Sequence, residues 1–175
     1  WSMILFVDMD EVIADTYKAH VDLYNSDFGA SLTLEECRGR EVWQCVPEEH
    51  QQSIKKHAYT VGFFQDLPVV ENSQETLEQL NQKYELYIAS AAMQFPNSLK
   101  EKSDWLDEHF PFIPWQRRIL CGDKQILKGD ILIDDRSYNL KRFTGRSILF
   151  TSPHNVNTTG LERGDSWLEI ADKLL

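Results

Sequence analysis

Met3-Ile4-Leu5-Phe6-Val7-Asp8-Met9-Asp10-Glu11-Val12 opens on five unbroken apolar residues, Met3 to Val7, and the run stops on two carboxylates one residue apart. Met3 to Val7 is too short to span a membrane and has the length of a strand buried on both faces of a parallel sheet. In an open parallel sheet, ligands gather beyond the carboxyl ends of the strands, which is where Asp8 and Asp10 fall. Taken singly, an Asp after a strand is as well read as a turn residue or a helix cap.

Working outward, the pattern repeats. Val12 to Phe28 has helical spacing and ends near Gly29. Leu86 to Ala89 reads as a buried strand ending at Ser90, fed by a helix over Glu71 to Tyr84. Pro96 to Phe110 reads as a helix. Arg118 to Cys121 reads as a strand leading to Gly122-Asp123-Lys124, Ile131 to Ile133 runs into Asp134-Asp135, and Ser147 to Phe150 is the last strand. A closing helix over Asp165 to Leu175 is capped by Asp165 or Ser166. Strands alternating with helices predict an α/β, Rossmann-like parallel sheet of about five strands. Residues 16-65 break this pattern, with short amphipathic pieces at Leu34–Cys37 and Glu48–Tyr59 interrupted by Gly39, Pro47 and Gly62. They predict a small helical insertion after the first strand, with the core in 1-15 and 66-175.

The chain has 175 residues, 42% of them hydrophobic, and a formal charge of -10. That length suits one domain with a small appendage. The negative charge argues against a nucleic-acid polymer or an anionic membrane as partner. No apolar run approaches the roughly 20 residues of a spanning helix, and the amino terminus shows no secretion-signal pattern. Three cysteines, Cys37, Cys45 and Cys121, cannot all pair within the chain, so a cytoplasmic location is expected. Cys37, Cys45, His50 and His57 lack the spacing of a zinc site, and none is assigned.

Asp8 and Asp10, Ser90, Lys124, and Asp134 with Asp135 are thus predicted along one edge of one sheet. This combination fits phosphoryl transfer. A carboxylate attacks phosphorus, a second moves protons, a hydroxyl and an ammonium hold phosphoryl oxygens, and further acids hold a hard cation.

The same residues resemble the haloacid dehalogenase superfamily of phosphatases. More narrowly, Asp8-Met9-Asp10 with Val12 and Ala14-Asp15, Gly62-Phe63-Phe64-Gln65-Asp66-Leu67, Asp123-Lys124, Asp130 to Asp135 and Ile148-Leu149-Phe150-Thr151 resemble the 5'(3')-deoxyribonucleotidases. The resemblance implies that Asp8 is the nucleophile and that Asp10 is the general acid and then the base for water. A carboxyl beside a second carboxylate in a partly dry site can hold the proton this requires. It implies magnesium bound by Asp8, the Asp10 carbonyl and one of Asp134 and Asp135, with Asp135 favoured. An oxygen-only, acid-rich site suits that ion. Ser90, assisted by the Ala91 N–H, and Lys124 would hold the phosphate, with Lys128 a competitor for the lysine role.

The insertion corresponds to the family's cap. Within it Trp43 either stacks on a base or sugar or packs as core, and Arg40, Tyr59 and Phe63 are further candidates for substrate contact. Glu11, Thr16, Gln94 and Gly122 depart from the family pattern, which often has glycine at the first position. The implied function is magnesium-dependent hydrolysis of deoxynucleoside monophosphates through an aspartyl-phosphate. Alternatives are another small phosphate ester, such as a ribonucleotide or sugar phosphate, and a catalytically silent phosphate-binding domain. A homodimer stays open.

Overall fold

The computed structural model describes residues 2–175; Trp1, counted with the core segment above, lies outside them. In chain order the elements are β1 (Ile4–Val7), α1 (Thr16–Phe28), α2 (Leu34–Cys37), α3 (Gln51–His57), α4 (Ser73–Lys83), β2 (Glu85–Ser90), α5 (Ser98–His109), β3 (Arg118–Leu120), β4 (Ile131–Asp134), α6 (Ser137–Arg142), β5 (Arg146–Phe150), β6 (Glu162–Gly164) and α7 (Trp167–Leu174). All strands pair in parallel, in the order β3-β2-β1-β4-β5-β6. The direction of winding reverses between β1 and β4, so the crevice at their carboxyl ends is the switch point of the sheet.

Strand alternation sorts the core into two faces. Leu5 and Val7 of β1, with Leu86, Ile88, Ile131, Ile133, Ile148 and Phe150, pack beneath Leu77 and Leu80 of α4, Trp105 and Leu106 of α5, and Trp167 and Ile170 of α7. On the other face Phe6, Ala89, Leu132 and Leu149 meet Leu140 of α6. Among the described residues, both buried tryptophans have their N–H satisfied. Trp105 Nε1 donates to the Leu67 carbonyl at 2.8 Å and Trp167 Nε1 to the Val12 carbonyl at 2.7 Å. Each therefore contributes its large apolar area without an orphaned donor, and each pins a loop next to the switch point.

The sheet has six strands rather than about five. β6 is three residues, Glu-Arg-Gly, and carries no apolar run to announce it. It is an edge strand blunted by charge: Glu162 pairs with Arg146 and Lys173. Gly164 is needed there because a Cβ would come within 2.5 Å of Ile170 Cδ1. α6, six residues long, was likewise absent from the sequence pattern.

α1 starts at Thr16, four residues later than its apolar spacing suggests. Val12 and Ile13 belong instead to a loop wound round the Met9 carbonyl, which accepts from the N–H groups of Val12, Ile13 and Ala14. The helix ends as predicted at Gly29, in the left-handed region. α1, α2 and α3 bury a cluster of their own, including Tyr17, Val21, Tyr24, Cys37, Val42 and Ile54. The chain rejoins the main core at Ala58 and Phe64, where the N–H groups of Gly62 and Phe64 donate to Glu101 of α5 at 2.8 and 3.2 Å. Among the described residues, no helix is long and apolar enough to cross a membrane.

Candidate active site

β1 and β4 end side by side, with Val7 opposite Ile133, and this register brings Asp8 beside Asp134 and Asp135. The Asp8 N–H donates to the Ile133 carbonyl at 2.9 Å, which fixes the turn. One oxygen from each of the three carboxylates falls within 4.8 Å of the others. Lys124, in a 3₁₀ turn after β3, reaches in from the far side and donates to Asp8 Oδ1 at 2.7 Å and Asp134 Oδ2 at 2.8 Å. Lys128 is exposed and takes no part in this cluster.

All four groups are buried. Burial pushes the Asp8 carboxyl well above the usual carboxylate range and Asp134 adds to it, against Lys124. Asp135 is pushed up to about 7, by burial and then by Asp134. Burial works against the Lys124 charge, but Asp8 and Asp134 more than offset it, so its pKa is raised.

With all three carboxyls ionised, as a bound cation would make them, three negative charges against the Lys124 ammonium leave an excess of two in a dry, oxygen-only setting. One divalent hard cation matches that excess, so the donor set fits magnesium. Asp134 is already committed, to Lys124, to Asn139 Nδ2 at 3.3 Å and to the Arg136 N–H at 2.9 Å. Asp135 is met by His154 Nε2 at 2.7 Å, with Arg136 Nε at 3.6 Å and the Asp8 carboxyl beside it. Burial and the Arg136 charge bring the His154 pKa down to about 4, so a neutral ring donates to Asp135 and orients it.

Asp10 is placed differently. Its side chain is 31% exposed against 9% for Asp8. Its Oδ1 accepts from the Thr16 hydroxyl at 3.3 Å and its Oδ2 from Lys102 Nζ at 2.8 Å. Lys102, buried on α5, also donates to Ser90 Oγ at 3.0 Å and lies 4.8 Å over the Phe64 ring. It therefore ties together the ends of β1 and β2. Lys102 is absent from the sequence-derived site, although a signal existed: Trp105 and Leu106, three and four residues on, mark its helix face as the inner one. His154, Arg136 and Asn139 were missed too, and only the tertiary fold brings them to the acids.

Glu11 adopts φ 71°, a left-handed conformation costing of order 1 kcal/mol in a residue with a Cβ. Glycine would adopt this conformation without that cost. Two hydrogen bonds offset the strain: Glu11 Oε1 accepts from the Tyr17 N–H at 2.6 Å and Oε2 from Ser152 Oγ at 3.2 Å. Burial, then Asp135, pushes its carboxyl well up.

A cavity of about 910 Å³ opens over these residues, within the range of small-molecule sites. Asp8, Asp10, Ser90, Ala91, Lys124 and Asp135 form its floor, and Trp43, Lys55 and Tyr59 stand in its wall. Asp134 lies behind the floor, wholly buried. Arg40 does not line the cavity. Its guanidinium donates to the Glu36 and Gln44 carbonyls, at 2.8 and 3.4 Å, closing two short helical turns on the outer surface. Phe63 is also outside, packed against His20 and His57. Trp43 is half-buried against the insertion's apolar cluster with Lys55 Nζ 4.3 Å over its ring. Gln94 and Gly122 do line the cavity.

Residues 2–175 match the model of the family described as 5' nucleotidase, deoxy (pyrimidine), cytosolic type C. The 5'(3')-deoxyribonucleotidase of Bacillus subtilis is 38% identical over 175 residues, covering 98% of each chain. A Staphylococcus epidermidis protein, provisionally named for the same activity, is 40% identical over 164 residues, or 94% of this chain and 91% of that one. Among solved structures, a haloacid dehalogenase-like hydrolase from Streptococcus pneumoniae superposes with a TM-score of 0.64 at 13% identity, covering 99% of both chains, a likeness of fold. The chain therefore belongs to the deoxy (pyrimidine) cytosolic type C 5'-nucleotidase family, built on the haloacid dehalogenase-like fold.

Proposed function

We propose that the chain is a magnesium-dependent phosphomonoesterase that hydrolyses deoxynucleoside monophosphates through an aspartyl-phosphate on Asp8. The observation that carries the reading is the pairing of two carboxyls with opposite settings one residue apart. Asp8 is buried and held by Lys124, while Asp10 faces the open cavity. Family membership and the names of the relatives support the substrate class.

In this reading an Asp8 oxygen attacks phosphorus and forms the O–P bond while the bond to the ester oxygen breaks. Asp10 gives that oxygen its proton, and later removes one from the water that cleaves the acyl-phosphate. Lys124 holds Asp8 in place and balances charge as phosphoryl oxygens approach. Ser90 accepts from Lys102 rather than donating to it, which leaves its hydroxyl hydrogen for a phosphoryl oxygen, with the Ala91 N–H beside it. Lys102 holds Asp10 and Ser90 in register. Asp8, the Asp10 carbonyl and Asp135 would hold the magnesium, with Asp134 behind them, and the ion would supply neutralisation of phosphoryl charge. Residues 16-65 act as the cap, excluding water and contacting the leaving group.

One observation favours another small phosphate ester as substrate: Lys55 covers one face of Trp43, a face a base would otherwise use. Phosphate release from deoxy- and ribonucleoside 5'- and 3'-monophosphates, with and without magnesium and beside Asp8→Asn, separates the readings. Magnesium-dependent turnover of deoxynucleotides, lost in Asp8→Asn, is expected. Turnover confined to a generic aryl phosphate would remove the nucleotide and keep the chemistry. No turnover by folded, magnesium-bound protein would leave a silent phosphate-binding domain.

A further inference from the structure

The part of the cavity wall supplied by α1 carries three polar side chains, Thr16, Tyr17 and His20. The Thr16 hydroxyl is committed to Asp10, and the Tyr17 hydroxyl to the carbonyls of Arg40 at 2.6 Å and Cys37 at 3.2 Å. His20 keeps an atom in reserve. Its Nδ1 meets Nδ1 of His57 at 3.0 Å, so one ring carries its proton there and the other accepts it. The rings stack 15° apart, and Phe63 packs against both, which fixes their planes.

The far side of His57 decides which ring donates. His57 Nε2 is buried and, among the described residues, is the buried side-chain polar atom without a hydrogen-bond partner. Asp27 Oδ2 lies 4.0 Å from it. That carboxylate favours a proton on His57 Nε2, which leaves His57 Nδ1 bare. In that tautomer His20 Nδ1 carries the shared proton, against the pull of the Asp10 and Glu41 carboxylates on the ring, and His20 Nε2 is a lone-pair acceptor. Burial keeps both rings neutral, bringing the His20 pKa down to about 4 and lowering that of His57. His20 follows Thr16 by one helical turn, so its ring stands on the same face of α1 as the hydroxyl that touches Asp10.

We propose that His20 reads the leaving group: its bare Nε2 accepts a hydrogen bond from the free hydroxyl of the sugar whose ester oxygen Asp10 protonates, and His57 is the positioning residue that sets the tautomer. The inference rests on the phosphomonoesterase reading above and adds a specificity-determining contact to it. A site holding a fixed acceptor discriminates against an analogue without the donor, because the acceptor is then desolvated and unpaired.

The test compares a 2'-deoxynucleoside 5'-monophosphate with its 2',3'-dideoxy counterpart, with an aryl phosphate followed alongside. The wild type is expected to favour the hydroxyl-bearing substrate by about tenfold in kcat/KM. His20→Phe, which keeps the stack, should bring that ratio to about one. His20→Gln, whose amide oxygen reaches the position of Nε2, should keep most of it. His57→Phe should lower the ratio, and His57→Asn, which can present an oxygen in place of Nδ1, should restore it; a merely structural role would leave the ratio alone. Equal rates on the two nucleotides in the wild type, or an unchanged ratio in His20→Phe, would overturn the inference while the phosphomonoesterase reading stands. Turnover of the aryl phosphate with neither nucleotide cleaved would overturn both the nucleotide reading and this contact.

Discussion

On the sheet side of the cavity, Asp8, Lys124, Asp134 and Asp135 are buried, with Lys124 bonded to both Asp8 and Asp134 and Asp135 held by His154. On the helical side, Lys55 and Tyr59 are exposed, Trp43 is half-buried, and His20 keeps one nitrogen free. The sheet wall rests on the ends of β1 and β4, whose residues are buried on both faces. The helical wall is built from α1, the short turn that carries Trp43 and the seven-residue α3, and it rests on a small cluster of its own. Fixed charges in a low dielectric are what phosphoryl transfer needs, and strand ends can hold them. A group that varies from substrate to substrate is met by side chains on a lighter, more easily opened framework.

The comparison predicts that mutations of the sheet wall act on chemistry and stability together, while those of the helical wall act on substrate recognition. Lys124→Met should show the largest effect. It strands Asp8 against Asp134, so stability without metal should fall by about 3 kcal/mol and kcat by about 100- to 1,000-fold. Magnesium should recover part of the stability, as thermal melts with and without the ion would show. Lys102→Met should cost about 100-fold in kcat with little change in KM. A rise in KM at constant kcat would place Lys102 in the binding wall instead.

A third test uses pH. The folded-state pKa of His20 lies below its ordinary 6.5, at about 4, so the unfolded chain takes up a proton in that window and the folded chain does not. His20 therefore contributes stability above pH 6.5 that is lost as pH falls through about 4. Asp8, Glu11 and Asp135 are raised and act with the opposite sign, so the difference between wild type and His20→Phe isolates the term. Urea titrations at both ends of the window should show the wild type losing up to about 3 kcal/mol more than the variant on acidification. Trp43→Ala, the smallest effect, should raise KM about tenfold for a nucleotide at nearly constant kcat. An equal rise for an aryl phosphate would show that Trp43 supports the cap rather than touching a base.

What could be read from the sequence divides along the same line. The strand ends were legible because unbroken apolar runs stop on Asp8, Ser90 and Asp134, and a parallel sheet aligns such ends whatever lies between them. β6 was not, since three residues of Glu-Arg-Gly pair with the sheet only through β5. The loop before α1 was misread as helix because Val12 and Ile13 bury themselves in the sheet core, at a spacing that also suits a helix. Lys102 looks like one more charge on an amphipathic helix beside Lys100, Glu101 and Asp104, and only the docking of α5 turns it inward. Arg40 is a candidate by its place in the insertion, yet two backbone carbonyls hold it outside. Side chains on an irregular insertion take their direction from tertiary contacts, which no local period encodes.

The central claim is that Asp8 becomes phosphorylated. Acid quench of the enzyme with magnesium and a deoxynucleoside monophosphate in the pre-steady state, followed by mass analysis of the Asp8-containing peptide, tests it directly. The account predicts a phosphorylated peptide that forms before phosphate is released, decays with turnover and is absent in Asp8→Asn. Turnover without any such peptide, or with Asp8→Asn still active, would contradict it.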